Sequence, residues 1–106
     1  TRVIPSYGAV SAAKCALESH TRQLAVELAP LGIAVNALRG GVTRTPASEK
    51  IPGSDRLFEQ AATRNPHRRL TTTQDVAKAI AVFSHSDTQW MTGNVIRVDG
   101  GECIVE

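Results

Sequence analysis

Aromatic side chains are scarce here: one Trp, one Tyr and two Phe in 106 residues. A surface that stacks bases needs more of them, and a formal net charge of +2 gives little grip on phosphates. An independent nucleic-acid module is therefore disfavoured. The same small charge offers no reason to invoke an anionic membrane surface. No apolar run approaches the roughly 18 residues that a membrane span needs. Two cysteines, Cys15 and Cys103, make neither a disulfide framework nor a metal site. His20, His67 and His85 have no ligand-like spacing to one another or to the cysteines, so no metal is expected. The first residues, Thr1 to Ser6, lack the charged and apolar regions of a signal peptide, and no initiator Met is present. The expectation is a chain cut from something longer.

What is present has the balance of a soluble globular protein, 42% hydrophobic and 21% charged. From about Ala9 to Ala29 the residues are good helix formers, and Pro30 and Gly32 then stop the run. The first half of this helix, AVSAAKCA, is crowded with small residues, and Cys15 within it reads as a packed thiol. The second half, TRQLAVEL, mixes apolar and charged positions as a helix with one buried face would. Residues 32–38, GIAVNAL, read as a largely buried strand, followed by a strand-to-loop passage with paired glycines, Gly40 and Gly41. Residues 46–53 are loop-like between Pro46 and Pro52-Gly53. A second helix is predicted from Ser54 or Asp55 to Arg64, capped by Ser54 and ended by Asn65-Pro66. His67 to Thr71 form a basic loop. Thr72, three residues before Asp75, is a variant capping signal for a third helix over about 73–85. Residues 94–98, NVIRV, make a second strand closed by Asp99-Gly100-Gly101. Helix-bearing connections between short apolar strands point to a parallel α/β sheet, and two strands alone would leave it short of neighbours.

Tyr7 and Lys14 lie seven residues apart, close to two helical turns, so both fall on one face roughly 10 Å apart along the axis. A nearby ammonium favours a phenolate, and a phenol so placed can donate a hydrogen bond or proton to an oxygen that becomes negative during a reaction. Spacing alone also fits a surface lysine and an unrelated interface tyrosine. The surrounding residues decide between them. Tyr7-Gly-Ala-Val-Ser-Ala-Ala-Lys14-Cys-Ala-Leu-Glu18, with Thr21 through Ala29, resembles the catalytic helix of the short-chain dehydrogenase/reductase family. Gly32 through Leu38 resembles its following strand. Gly40-Gly41-Val42-Thr43-Arg44-Thr45 stands where that family has a Pro-Gly loop ending in Thr. Asp75-Val76-Ala77, and Met91-Thr92-Gly93 through Asp99-Gly100-Gly101, resemble its last helix and last strand.

Most members of the family carry the tyrosine four residues before the lysine, where this chain has Val10. The Tyr-x6-Lys spacing is similar to that of the enoyl-acyl-carrier-protein reductases built on the same fold, as are Gly40-Gly41 in place of Pro-Gly and the upstream Arg2. The resemblance implies the C-terminal part of a doubly wound parallel-sheet Rossmann fold, with residues 1–106 lacking the cofactor half of a single NAD(P)-binding domain. It implies NADPH or NADH as cofactor, and reduction of the C2=C3 bond of an enoyl thioester in fatty-acid synthesis. Tyr7 would hydrogen-bond the thioester carbonyl oxygen. Lys14 would hold the nicotinamide ribose hydroxyls. Gly41, Val42 and Thr43 would lie against the nicotinamide, and Thr45 would reach the cofactor phosphates. The missing side chains of the paired glycines would let backbone approach the ring, although Gly40-Gly41 also suits an ordinary turn. Arg39 stands where a small residue is expected.

Residues 46–64 correspond to the family's substrate-binding segment, in which Ile51 and Leu57 line an acyl channel or simply pack as core. Arg64, His67, Arg68 and Arg69 either face an acidic carrier protein or form a solvated basic loop. A homotetramer in the cytoplasm is implied, with an acyl thioester, on acyl carrier protein, as its partner. A ketone reductase such as a 3-oxoacyl reductase is the rival activity, and a non-catalytic fragment acting by subunit association is the rival of another class. No Gly-rich turn follows a first strand, so the pyrophosphate site is absent and the 106 residues alone are expected to be inactive.

Overall fold

The computed structural model describes residues 8–105. In chain order these form helix α1 (Gly8–Leu28), strand β1 (Ala37–Gly40), helices α2 (Pro46–Glu49), α3 (Ser54–Arg64) and α4 (Thr73–Phe83), and strand β2 (Val95–Val98). Single 3-10 turns occupy Ala29–Leu31, Ser86–Thr88 and Glu102–Ile104. β1 and β2 are neighbours in one sheet. Ala37 N–H donates to Asn94 O (2.9 Å) and Gly41 N–H to Val98 O (3.2 Å), bonds that keep one residue offset, so the strands run parallel. The three helices between them are the connection such a pair requires. None of the helices among the described residues is long and apolar enough to cross a membrane.

The chain divides into two compact units. The first comprises residues up to Ala37 together with Gln89–Val95. Here α1 is continuous, and it ends through the Pro30-containing turn at Gly32, whose N–H returns to Ala29 O. Its buried positions are Thr21 and Ala25, with Ala25 facing Gly93. The buried face expected in its second half exists, but it is lined by small residues: Leu24 is 43% exposed and Val26 74%. Cys15, expected to be packed, is exposed.

The strand predicted at residues 32–38 begins only at Ala37 and runs on through Arg39 and Gly40. Before it one backbone bond remains, from Gly93 N–H to Val35 O (2.8 Å), and side chains supply the rest. Val35 N–H donates to the Thr92 hydroxyl (3.0 Å), and the Asn36 side-chain amide donates to Met91 O (2.7 Å).

The second unit comprises Leu38–Thr88 with the residues from Ile96 onward. Its buried apolar side chains are Phe58 and Ala61, both on α3. The helix starts as predicted, but Gly53 is its cap and Ser54 its first residue. The Ser54 hydroxyl instead donates to Glu49 O (3.2 Å). α4 opens on the Thr72–Asp75 capping box that the sequence signalled, and it ends at Phe83. The loop expected over residues 46–53 contains the one-turn helix α2, opened by a second capping box between Thr45 and Ser48.

Candidate active site

Lys14 sits two turns into α1 and is exposed. Seven residues before the buried Thr21, it lies on the same stripe of the helix. Tyr7 lies outside the described residues.

The second cluster of candidates, Gly41 to Thr45, leaves the end of β1 within the second unit. A β-carbon on Gly41 would stand 2.5 Å from the Thr71 hydroxyl and 3.0 Å from Asp99 Cβ. The close approach that demands glycine there is thus to the protein's own chain. Val42 N–H donates to both carboxylate oxygens of Glu102, at 3.2 Å each. The Thr43 hydroxyl donates to Gly41 O (2.8 Å), and the Ser48 hydroxyl reaches Thr43 O (3.0 Å). Thr43 also forms an isolated parallel bridge to Thr71. The three residues are therefore fixed from several sides, and all three are half-buried.

Thr45 caps α2. Its hydroxyl accepts from Ser48 N–H (3.1 Å) and lies 3.1 Å from the Ser48 hydroxyl, while its own N–H donates to Ser48 Oγ (2.8 Å). Arg44 ties the loop to the helices that follow. Its guanidinium lies 4.4 Å from the centroid of the buried Phe58 ring, 3.7 Å from a Glu49 oxygen and 3.6 Å from an Asp55 oxygen. Ile51 and Leu57, expected to line a channel or pack as core, are 53% and 47% exposed. Arg39 is exposed at the end of β1.

Part of the basic cluster is engaged within the chain. Arg68 donates to Thr63 O (2.9 Å) and Arg69 pairs with Asp75 (2.7 Å). The Arg69 hydrogen bond, with the Thr72 backbone N–H, holds the Asp75 carboxyl well below the ordinary carboxylate range.

Sequence reasoning did not single out Glu102, Ser48 or Asn65. Ser48 carried a readable signal, a hydroxyl three residues after Thr45 and just past Pro46. Glu102 carried none beyond its place after two glycines. Asn65 read only as a helix stop, yet it is 2% exposed and its amide donates to Asp99 O (3.0 Å).

The donors present suit a nicotinamide dinucleotide in part. Lys14 offers three N–H donors on an exposed helix face, a set that vicinal ribose hydroxyls accept. The Gly41–Thr43 turn offers a fixed edge of backbone. The Thr45 hydroxyl is committed to α2, so a phosphate there would compete with Ser48.

A family model described as enoyl-(acyl carrier protein) reductase matches residues 1–102. The enoyl-acyl-carrier-protein reductase (NADH) FabI of Aquifex aeolicus is 39% identical over 101 residues, covering 94% of this chain and 37% of that protein. The 1-cyclohexenylcarbonyl-CoA reductase of Streptomyces collinus is 36% identical over 106 residues, covering 98% and 38%. Among solved structures, the Bacillus cereus enoyl-acyl carrier protein reductase with NADP+ and an indole naphthyridinone superposes with a TM-score of 0.92 at 30% identity, covering 99% of this chain and 41% of that one. The chain thus spans about two fifths of the length of the curated relatives it matches. Its parallel sheet with crossover helices is the C-terminal part of a Rossmann fold.

Proposed function

The chain belongs to the enoyl-(acyl carrier protein) reductase family of short-chain dehydrogenases/reductases, and from that premise we propose that it is the C-terminal part of an NAD(P)H-dependent enoyl-thioester reductase. The observation that carries this reading is the seven-residue Tyr7–Lys14 spacing within a chain that matches the enoyl-reductase family model over residues 1–102. The two curated relatives described above, named for enoyl-acyl-carrier-protein and cyclohexenylcarbonyl-CoA reduction, support the C=C bond as the group reduced.

When bound, a reduced nicotinamide would supply hydride to C3 of the enoyl thioester, and the enolate left behind would take a proton from solvent at C2. The work of this chain is electrostatic and positional. Negative charge gathers on the thioester carbonyl oxygen as C3 is reduced, and the Tyr7 phenol donates a hydrogen bond to that oxygen. Lys14 would hold the ribose hydroxyls, and its ammonium would keep positive charge near the phenol. Gly41, Val42 and Thr43 would form the edge against which the nicotinamide rests. Thr45 stands towards the phosphates, with the competition from Ser48 noted above. Residues 46–64 bear on the acyl group, with Ile51 and Leu57 exposed for contact. NADH and NADP+ each appear in the relatives' names, so NADH and NADPH both belong in the assay. The reading includes carrier protein or coenzyme A as the thiol partner, a cytoplasmic site of action and a homotetramer, whose mass size-exclusion chromatography with light scattering would give.

The test is oxidation of NADH and NADPH by the complete protein with crotonyl thioester, comparing wild type with Tyr7→Phe. Crotonyl reduction should fall at least about a hundredfold in the variant, the contribution of one positioned donor to developing charge. Activity untouched by the substitution removes Tyr7 from the mechanism. Consumption of acetoacetyl thioester alone leaves the family standing and overturns enoyl reduction.

A further inference from the structure

Glu102 belongs to no motif of the sequence, yet its carboxylate takes the Val42 N–H with both oxygens at 3.2 Å, sixty positions back along the chain. Three features hold it there. Gly100 and Gly101 adopt φ of 62° and 89°, which lets the chain double back after β2. The Asp99 carboxylate accepts from Gly101 N–H (3.0 Å) and Cys103 N–H (3.2 Å), closing the turn on either side of Glu102. Asn65, itself held by His67 N–H (2.8 Å), fastens that turn from outside through its bond to Asp99 O. The turn is thus a braced platform, and the carboxylate it presents reaches the middle residue of the Gly41–Thr43 edge. Glu102 is half-buried.

We infer that Glu102 is a positioning residue for the nicotinamide end of the cofactor. It locks the peptide between Gly41 and Val42, and so sets the direction in which the Thr43 backbone meets the carboxamide. A corollary separates this from a general cap. The Val42 N–H is occupied by the chain's own carboxylate, so Val42 meets the nicotinamide through its side chain and carbonyl and not as a donor. The inference rests on the enoyl-reductase reading, because only that reading brings a nicotinamide to this edge.

The experiment compares wild type, Glu102→Ala and Glu102→Gln in the complete protein. Dissociation constants would be measured for NAD(P)H by its fluorescence, and for ADP-ribose and its 2′-phosphate by competition; these last lack the nicotinamide. Glu102→Ala should weaken NAD(P)H binding about tenfold, the scale of one lost charge-assisted hydrogen bond, and leave ADP-ribose binding unchanged. Glu102→Gln keeps an acceptor oxygen and should fall between the two. It also serves should the alanine variant fold poorly. Equal NAD(P)H affinity in wild type and both variants overturns the inference while leaving the reductase reading intact. Parallel loss of ADP-ribose binding also overturns it, by showing a general structural role. A wild type that binds ADP-ribose and NAD(P)H equally well refutes contact between this edge and the nicotinamide, and a wild type that binds neither refutes the reading beneath it.

Discussion

Gly40 and Gly41 are adjacent and chemically identical, but the fold uses them differently. At Gly40 the nearest neighbour to an added β-carbon is Val76 Cγ2 at 3.4 Å, an ordinary contact. At Gly41 the same carbon would meet the Thr71 hydroxyl at 2.5 Å and Asp99 Cα, a backbone atom, at 3.2 Å. Thr71 and Asp99 are both buried, which leaves little room to yield. Gly41→Ala should therefore destabilise the complete protein by about 1–3 kcal/mol, the usual scale of overpacking. Gly40→Ala should stay within about 0.5 kcal/mol of wild type. Urea unfolding of both variants measures the difference, and equal midpoints would contradict it. The sequence could present the glycine pair but not this asymmetry, because Thr71 and Asp99 reach Gly41 only through the parallel pairing of distant segments.

The elements differ in how far local chemistry dictates them. α4 was legible because its start is written into contiguous residues: Thr72 accepts from Asp75 N–H (3.1 Å) and Asp75 accepts from Thr72 N–H (2.8 Å). Arg69 adds two bonds to the same carboxylate, at 2.7 and 3.2 Å. This network titrates in a stated direction. The Asp75 carboxyl ionises more readily in the fold than in the unfolded chain, so its contribution to stability is complete above the ordinary aspartate value of about 3.9 and is lost as pH falls below it. In the complete protein Asp75→Asn should lower the melting temperature at pH 7, and the gap to wild type should close as the pH is taken from about 4 downward. A gap that stays constant through that range would disconnect the carboxylate from the effect. α1 and α3 were legible for similar local reasons, their composition and their Pro or Gly boundaries. β1 was displaced because GIAVNAL is apolar enough for a strand, whereas before Ala37 the Thr92 hydroxyl and the Asn36 amide share the bonding with a single backbone bond, Gly93 N–H to Val35 O. α2 was missed because one turn of helix leaves no periodicity, only the Thr45–Ser48 box. Of the site, the helix bearing Lys14 and the glycine loop were visible as motifs. Glu102 was not, since its partner lies sixty residues away.

For the molecule as a whole the governing quantity is the apolar surface left in water. Among the described residues only Ala25, Phe58 and Ala61 are buried hydrophobics, while Leu17, Val26, Leu31, Ile80 and Val82 are between 52% and 74% exposed and Trp90 is 99% exposed. Fully burying one such side chain contributes about 1.5–3 kcal/mol, and ordering each residue costs about 1–2 kcal/mol in backbone entropy alone. So few fully buried apolar side chains among the described residues set little against that cost. The 106 residues by themselves should therefore behave as a loosely packed state. They should show helical far-UV circular dichroism, bind an apolar dye such as ANS and melt without a sharp transition. Trp90, the single tryptophan of the chain, should emit as a water-exposed indole. The same preparation should show no saturable NADH binding and no hydride transfer to crotonyl thioester, because these residues include no Gly-rich strand-to-helix turn to hold a pyrophosphate. A sharp melt without dye binding would mean that the exposed residues pack against one another in solution. Measurable hydride transfer would mean that the residues described above suffice for cofactor binding, and the requirement for a separate dinucleotide half would fall with it.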